Sequence, residues 1–187
     1  MAESTDPIKN QKSKIKNIFL IGYRGTGKTA VAQILANKLG WEWLDADLLL
    51  ETRLGRSIAQ IFAEEGEKGF RDKEESLLEA ICLGKERVIA TGGGVILRES
   101  NRKRLREAGI CIWLTADTPT IARRLELDPK TKERRPNLTV GGLAEIEQLL
   151  KIREPFYREC AAWTVDTVSR TPEEVVEVIL EKVVGAA

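Results

Sequence analysis

Eight consecutive residues near the start of the chain, Gly22-Tyr23-Arg24-Gly25-Thr26-Gly27-Lys28-Thr29, match the phosphate-binding P-loop pattern in full. Glycines at these spacings let backbone N–H groups close around phosphate oxygens, and a helix opening at the end of the loop adds favourable partial charge. The lysine of such a loop, here Lys28, reaches the β- and γ-phosphates, and the final hydroxyl, here Thr29, ligates Mg2+. Gly25, Thr26, Gly27, Lys28, Thr29 and Ala30 are therefore the residues expected around the phosphates of ATP. The competing reading is a chance match in a strand-turn-helix. The apolar run before the loop and the helical pattern after it weigh against that.

Asp45-Ala46-Asp47 carries two carboxylates two positions apart, at the end of a second apolar run. In extended backbone such residues share a face. One carboxylate could hold Mg2+ through water, and the other could orient a substrate hydroxyl or accept its proton. The plainer alternative is that Asp47 N-caps a helix over 48–54. Gly92-Gly93-Gly94 follows a third apolar run. Three glycines cost backbone entropy, and a return for that cost is close approach of main chain to a ligand; the alternative is a tight turn. Arg71 is spaced to pair with Glu74 or Glu75 on a helix surface. Arg134 and Arg135 precede Pro136 in a charged segment and read either as a solvated face or as cations over a γ-phosphate. Arg153 has no reading on its own.

The elements that would position these groups follow from hydrophobic pattern. Strands are expected over 17–21, 42–45, 87–91, 110–115 and 163–165. Short continuous apolar runs suit strands buried on both faces. Helical stretches are expected after Lys28 to a stop at Gly40, from a capping box at Ser57 and Gln60, over 67–83, over 101–108, after a Thr118-Pro119 cap, over 143–160 with a disturbance at Pro155, and after a capping box at Thr171 and Glu174. Strands alternating with helices imply βαβ units: an α/β fold of three layers, with a mostly parallel five-stranded sheet covered by helices. Ligands in such sheets sit at the carboxyl ends of strands, and three of the expected strands end in the segments singled out above. Residues 127–142, with two prolines, two glycines and many charges, read as a mobile loop or lid. The expected organisation is a disordered leader over 1–16 followed by a single domain over 17–187.

Composition removes several classes of function. Among the 187 residues, Lys+Arg number 30 and Asp+Glu 29, so there is no bulk charge signal for nucleic acid or an anionic membrane. No apolar run is long enough to span a bilayer. The absence of histidine excludes Ser-His-Asp and Cys-His catalysis and every His-ligated metal site. Cys82, Cys111 and Cys160 are odd in number and far apart, which reads as reduced thiols in a cytoplasmic protein. The absence of a heptad seam or interface stripe makes a monomer the expectation.

GYRGTGKT, DAD, GEKGFRDKEE, ATGGG, RRP and REPFYREC, in this order and spacing, resemble the shikimate kinase family from about residue 18 to residue 180. The first stretch is generic to P-loop kinases, whereas the combination of the others is specific. The resemblance implies phosphoryl transfer from MgATP to the 3-hydroxyl of shikimate. It implies that Asp47 binds substrate hydroxyls and activates the attacking one, and that Asp45 holds Mg2+ through water, with Thr29 as the direct ligand. It implies that Arg71 and Arg153 clamp the shikimate carboxylate, that Gly92, Gly93 and Gly94 line the substrate, and that Glu74 holds Arg71. Arg135 matches the lid arginine, with Arg134 as its alternative, and Arg124 and Arg170 fall near the adenine. Tyr23-Arg24 departs from the smaller or apolar residues usual in the family, and Arg24 would touch phosphate or point to solvent. A gluconate-type or nucleoside monophosphate kinase, or an inactive nucleotide-binding module, would keep the P-loop. Asp45 and Asp47 taken with Arg71 and Arg153 favour shikimate.

Overall fold

The computed structural model describes residues 15–128 and 142–185. The expected leader and most of the expected lid, with Arg134 and Arg135, lie outside the described residues. Five strands form one sheet: β1 Asn17–Ile21, β2 Glu42–Asp45, β3 Arg87–Ala90, β4 Ile110–Thr115 and β5 Trp163–Asp166. Their order across the sheet is β2-β3-β1-β4-β5, and all four pairings are parallel. The central strand β1 is buried at every position, which its unbroken apolar run Ile18-Phe19-Leu20-Ile21 requires.

The alternation of side chains along each strand builds two cores. Phe19, Ile21, Ile89, Cys111 and Trp113 pack on one face, while Ile18, Leu20, Val88, Ile112 and Leu114 pack on the other. Parallel strands need crossover connections, and helices supply them. The first face is covered by α3 (Ile58–Cys82), α4 (Glu99–Ala108) and α6 (Gly142–Cys160). The second is covered by α1 (Lys28–Leu39) and α7 (Pro172–Gly185). Two short helices, α2 (Ala46–Leu54) and α5 (Thr118–Leu127), lie at the carboxyl ends of β2 and β4.

Local signals set most boundaries. Ser57 and Gln60 form a reciprocal capping box that opens α3, and Thr171 with Glu174 does the same for α7. The two helical stretches expected around residue 66 are joined in α3, which breaks at Gly66 (φ 69, ψ −176). The cap of α5 is Asp117, whose carboxylate accepts from the Thr120 N–H, rather than Thr118; Pro119 sits in the first turn. No helix among the described residues is long and apolar enough to cross a membrane.

Candidate active site

The P-loop runs from the end of β1 into α1 and is closed by its own side chains. Lys28 Nζ donates to the carbonyls of Gly22 (2.8 Å) and Tyr23 (2.7 Å), and Thr26 Oγ1 donates to the Tyr23 carbonyl (2.8 Å). These bonds draw the loop around a buried lysine. Gly22 has φ +139, and a Cβ there would lie under 3.0 Å from the Leu114 carbonyl oxygen, so only glycine lets β1 turn into the loop against β4.

The end of β2 meets this loop directly. Thr29 Oγ1 donates to Asp45 Oδ2 at 2.8 Å, while Asp45 Oδ1 accepts the backbone N–H groups of Asp47 and Leu48, each at 3.1 Å. Asp45 is therefore the N-cap of α2, and the sequence-based alternative that Asp47 caps a helix over 48–54 is incorrect. The reason is that β2 passes into α2 without a loop: Asp45 keeps extended backbone (φ −102, ψ 113) and Ala46 is already helical. Asp47 lies in the first helical turn, so strand alternation is not what brings the two carboxylates together. Both line the same cavity nonetheless, through the strand-to-helix turn.

That cavity has a volume of about 440 Å3. Its wall includes the P-loop residues Arg24, Gly25 and Gly27 to Ala30, with Asp45, Asp47, Thr91, Gly93 and Arg124. It lies at the carboxyl ends of the strands, as expected for this architecture. Behind Asp47, a small pocket is lined by Glu74, Thr91 and Gly92.

Arg71 and Arg153 lie against the glycine run at the edge of this cavity. Arg71 is buried on α3, donates from Nη1 to Glu74 Oε2 at 2.6 Å and from Nη2 to Glu67 Oε1 at 3.3 Å, and lies 4.9 Å from the Phe70 ring centroid. Its guanidinium packs so closely on Gly94 that a Cβ there would fall under 3.0 Å from it. Arg153, buried on α6, donates from Nη1 to the Gly93 carbonyl at 3.5 Å, and the Tyr157 hydroxyl donates to the same oxygen. The two arginines thus back adjacent glycines, Arg71 at Gly94 and Arg153 at Gly93, and neither lines the large cavity itself. Arg98 secures this arrangement from outside by bonding both Asp72 and Glu75 of α3. Arg98 holds the Asp72 carboxyl below its usual range, and the Ser100 hydroxyl with Arg98 does the same for Glu75.

On the other side of the P-loop, Arg124 Nη1 donates to the Gly25 carbonyl (3.3 Å) and to Thr167 Oγ1 (2.9 Å), and Nη2 to the Thr167 carbonyl (2.6 Å). Arg170 is exposed and donates to the Asp166 carbonyl at 2.6 Å. Arg124 and Arg170 therefore flank the segment after β5, where Arg124 ties it to the P-loop. Thr167 and Tyr157 had no assigned part in the sequence reading. A single threonine after a strand gives no pattern, and Tyr157 had only its place in REPFYREC as a signal. Arg24 points neither to solvent nor solely into the cavity: it pairs with Glu145 at 3.1 Å.

Among the described residues no group of three or more His, Cys, Asp or Glu side chains could hold a metal ion by itself. The hydroxyl of Thr29 and the carboxylate of Asp45 are hard oxygen donors of the type Mg2+ takes, with phosphate oxygens completing its shell.

A family model described as SKI: Shikimate kinase matches residues 24–184. The shikimate kinase of Rhodopirellula baltica is 41% identical over 175 residues, covering 93% of this chain and 94% of that protein. Among solved structures, a shikimate kinase from Acinetobacter baumannii in complex with shikimate superposes with a TM-score of 0.88 at 36% identity, covering 96% of this chain and 98% of that one. A gluconokinase from Sinorhizobium meliloti superposes with a TM-score of 0.59 at 18% identity over 92% of this chain and 93% of its own, a likeness of fold alone.

Proposed function

The chain belongs to the shikimate kinase family, and on that premise we propose that it transfers the γ-phosphoryl group of MgATP to the 3-hydroxyl of shikimate, a step of the shikimate pathway. The observation that carries this reading is the meeting at one cavity of a closed P-loop, the Asp45–Asp47 turn and Gly93, with Arg71 and Arg153 packed behind the glycines.

The phosphates of ATP lie along Gly25 to Ala30, with Lys28 released from the Gly22 and Tyr23 carbonyls to reach the β- and γ-phosphates. Thr29 directly and Asp45 through water would hold Mg2+, which when bound would neutralise charge on the phosphates. Arg124 and Arg170 border the adenine. Shikimate lies against Gly92, Gly93 and Gly94. Its carboxylate is met by the forks of Arg71 and Arg153, whose planar bidentate geometry suits that anion. Asp47 binds the attacking hydroxyl and takes its proton as the new O–P bond forms and the bond to the β-phosphate oxygen breaks, leaving ADP. Arg135 of the lid, or Arg134 in its place, offsets the charge that spreads over the transferring group. Positioning and electrostatics carry most of the rate, so the lack of histidine is no obstacle. The partners are two small molecules, the enzyme acts as a monomer, and three free thiols suit a reducing cytoplasm.

The test is to isolate the product made from MgATP and shikimate and assign the esterified hydroxyl by phosphorus–proton NMR. A 3-phosphate is expected, and a phosphate on another hydroxyl would reject the assigned pose. Asp47→Asn should lower kcat by about 10²- to 10⁴-fold, the usual worth of a positioned general base, with ATP binding retained.

A further inference from the structure

Tyr23 and Arg24 occupy the P-loop positions whose side chains the phosphate-binding pattern leaves unspecified, and both lean on α6. Arg24 Nη2 donates to Glu145 Oε1 at 3.1 Å, with the Glu145 side chain only 1% exposed. The Arg24 guanidinium lies 5.7 Å from the Tyr23 ring centroid, and the Arg153 guanidinium lies 5.7 Å from the same ring. Tyr23 packs in a small cluster with Ile121 and Ile146, so the first turn of α6 is fixed to the P-loop by an ion pair and an apolar contact together. Arg24 Nε is buried with no hydrogen-bond partner among the described residues. A free side chain would turn that donor to water, so the pose is imposed by Glu145 and the ring.

Glu145 and Arg153 share α6, just over two turns apart. Pro155 follows Arg153 by two residues, but the helix continues as one element from Gly142 to Cys160, so a placement fixed at Glu145 is carried along it to Arg153. We propose that the Arg24–Glu145 ion pair is a positioning device for Arg153, registering α6 on the P-loop so that the Arg153 guanidinium stands at the Gly93 carbonyl, where the substrate carboxylate docks. This rests on the reading of the chain as a shikimate kinase. The burial of Glu145 separates the pair from a solvated surface contact, whose members would be exposed. Arg24 also lines the cavity and Glu145 does not, so variants at the two positions distinguish positioning from direct contact with phosphate.

The experiment uses the full chain and its Arg24→Ala, Glu145→Gln, Arg24→Lys and Arg24→Ala/Glu145→Gln variants. Shikimate affinity is measured by calorimetry without nucleotide, and KM is measured for both substrates. Glu145→Gln and Arg24→Ala should each weaken shikimate binding about tenfold, and the double variant no more than the worse single, because members of one pair are non-additive. In Glu145→Gln, KM for ATP should stay within about twofold of the starting protein, a selectivity that general loosening of the fold would not give. Arg24→Lys keeps the charge but not the fork, so it should show the same selectivity to a smaller degree. It provides the reading if Glu145→Gln does not accumulate as folded protein. Unchanged shikimate affinity in the single variants, KM values for ATP and shikimate that rise together in Glu145→Gln, or losses that multiply in the double variant overturn the proposal. Failure of the unmodified chain to bind shikimate overturns the functional reading and the proposal with it.

Discussion

Thr29 and Asp45 share one hydrogen bond of 2.8 Å, and through it the last residue of the P-loop is joined to the end of β2. The same carboxylate caps α2 with its other oxygen. One side chain thus sets the start of the helix that carries Asp47 and stands beside the hydroxyl assigned to the metal.

Those two duties can be separated. Asn caps a helix about as well as Asp does, and its amide can still bond the Thr29 hydroxyl, but it carries no charge. Asp45→Asn should therefore leave thermal stability nearly unchanged. It should raise the Mg2+ concentration needed for half-maximal activity by about tenfold, the lower end of what loss of a metal-orienting partner costs. A magnesium titration of initial rates checks this, and an unchanged requirement would remove Asp45 from the metal site.

Gly94 tests the approach of Arg71. Its backbone (φ −105, ψ 3) is open to any residue, so Gly94→Ala brings no backbone strain. The new Cβ would collide with the Arg71 guanidinium, which would swing away and leave Glu74. KM for shikimate should rise by about tenfold or more, as misplacement of a positioning group does, and the melting temperature should fall as well, because the buried Glu74 carboxylate loses its charge-assisted bond to Arg71. Steady-state kinetics beside a thermal melt separate the two effects. A large fall in melting temperature with unchanged KM would contradict the packing described here.

The position of Arg71 also depends on Glu74, buried beside it at 2.6 Å. Glu74→Gln keeps the shape but removes the charge from a buried, charge-assisted bond, and should destabilise the fold by about 1–3 kcal/mol. It should raise KM for shikimate without changing KM for ATP. Equal changes in both constants would show that Glu74 acts on the fold as a whole.

The strand run, the P-loop and the capping boxes were legible in the sequence because each is local. A cradle needs its glycines and lysine within eight positions, and a box needs its two members three residues apart. The end of the strand at Asp45 was legible, but the helix cap offered at Asp47 belongs two residues earlier, because DAD offers two equivalent caps and only backbone angles show where extended chain ends. The supports of the site were illegible for another reason. Arg24 meets Glu145 across 121 positions, Arg124 meets Thr167 across 43, and Tyr157 meets Gly93 across 64. Spacing within an element encodes none of these, since they arise only when the sheet brings distant crossovers together.

The thiols give the protein an alkaline limit. Burial pushes Cys82 and Cys160 up to about 11 and Cys111 further still, from a usual 9.0. A group whose folded pKa lies above its unfolded value favours folding below the unfolded pKa and loses that contribution as pH rises. Stability to urea should accordingly fall between about pH 9 and pH 11. All three thiols should alkylate slowly at pH 8 in the native protein and quickly in denaturant. Rapid native alkylation of Cys111 would contradict its burial.

The most direct test of the account is ADP release at saturating MgATP with shikimate, gluconate and nucleoside monophosphates offered one at a time. The account predicts acceleration by shikimate alone, abolished in Asp47→Asn. Acceleration by gluconate or a nucleotide would contradict the carboxylate clamp of Arg71 and Arg153 while leaving the P-loop in place, and no acceleration by any acceptor would contradict the kinase reading itself.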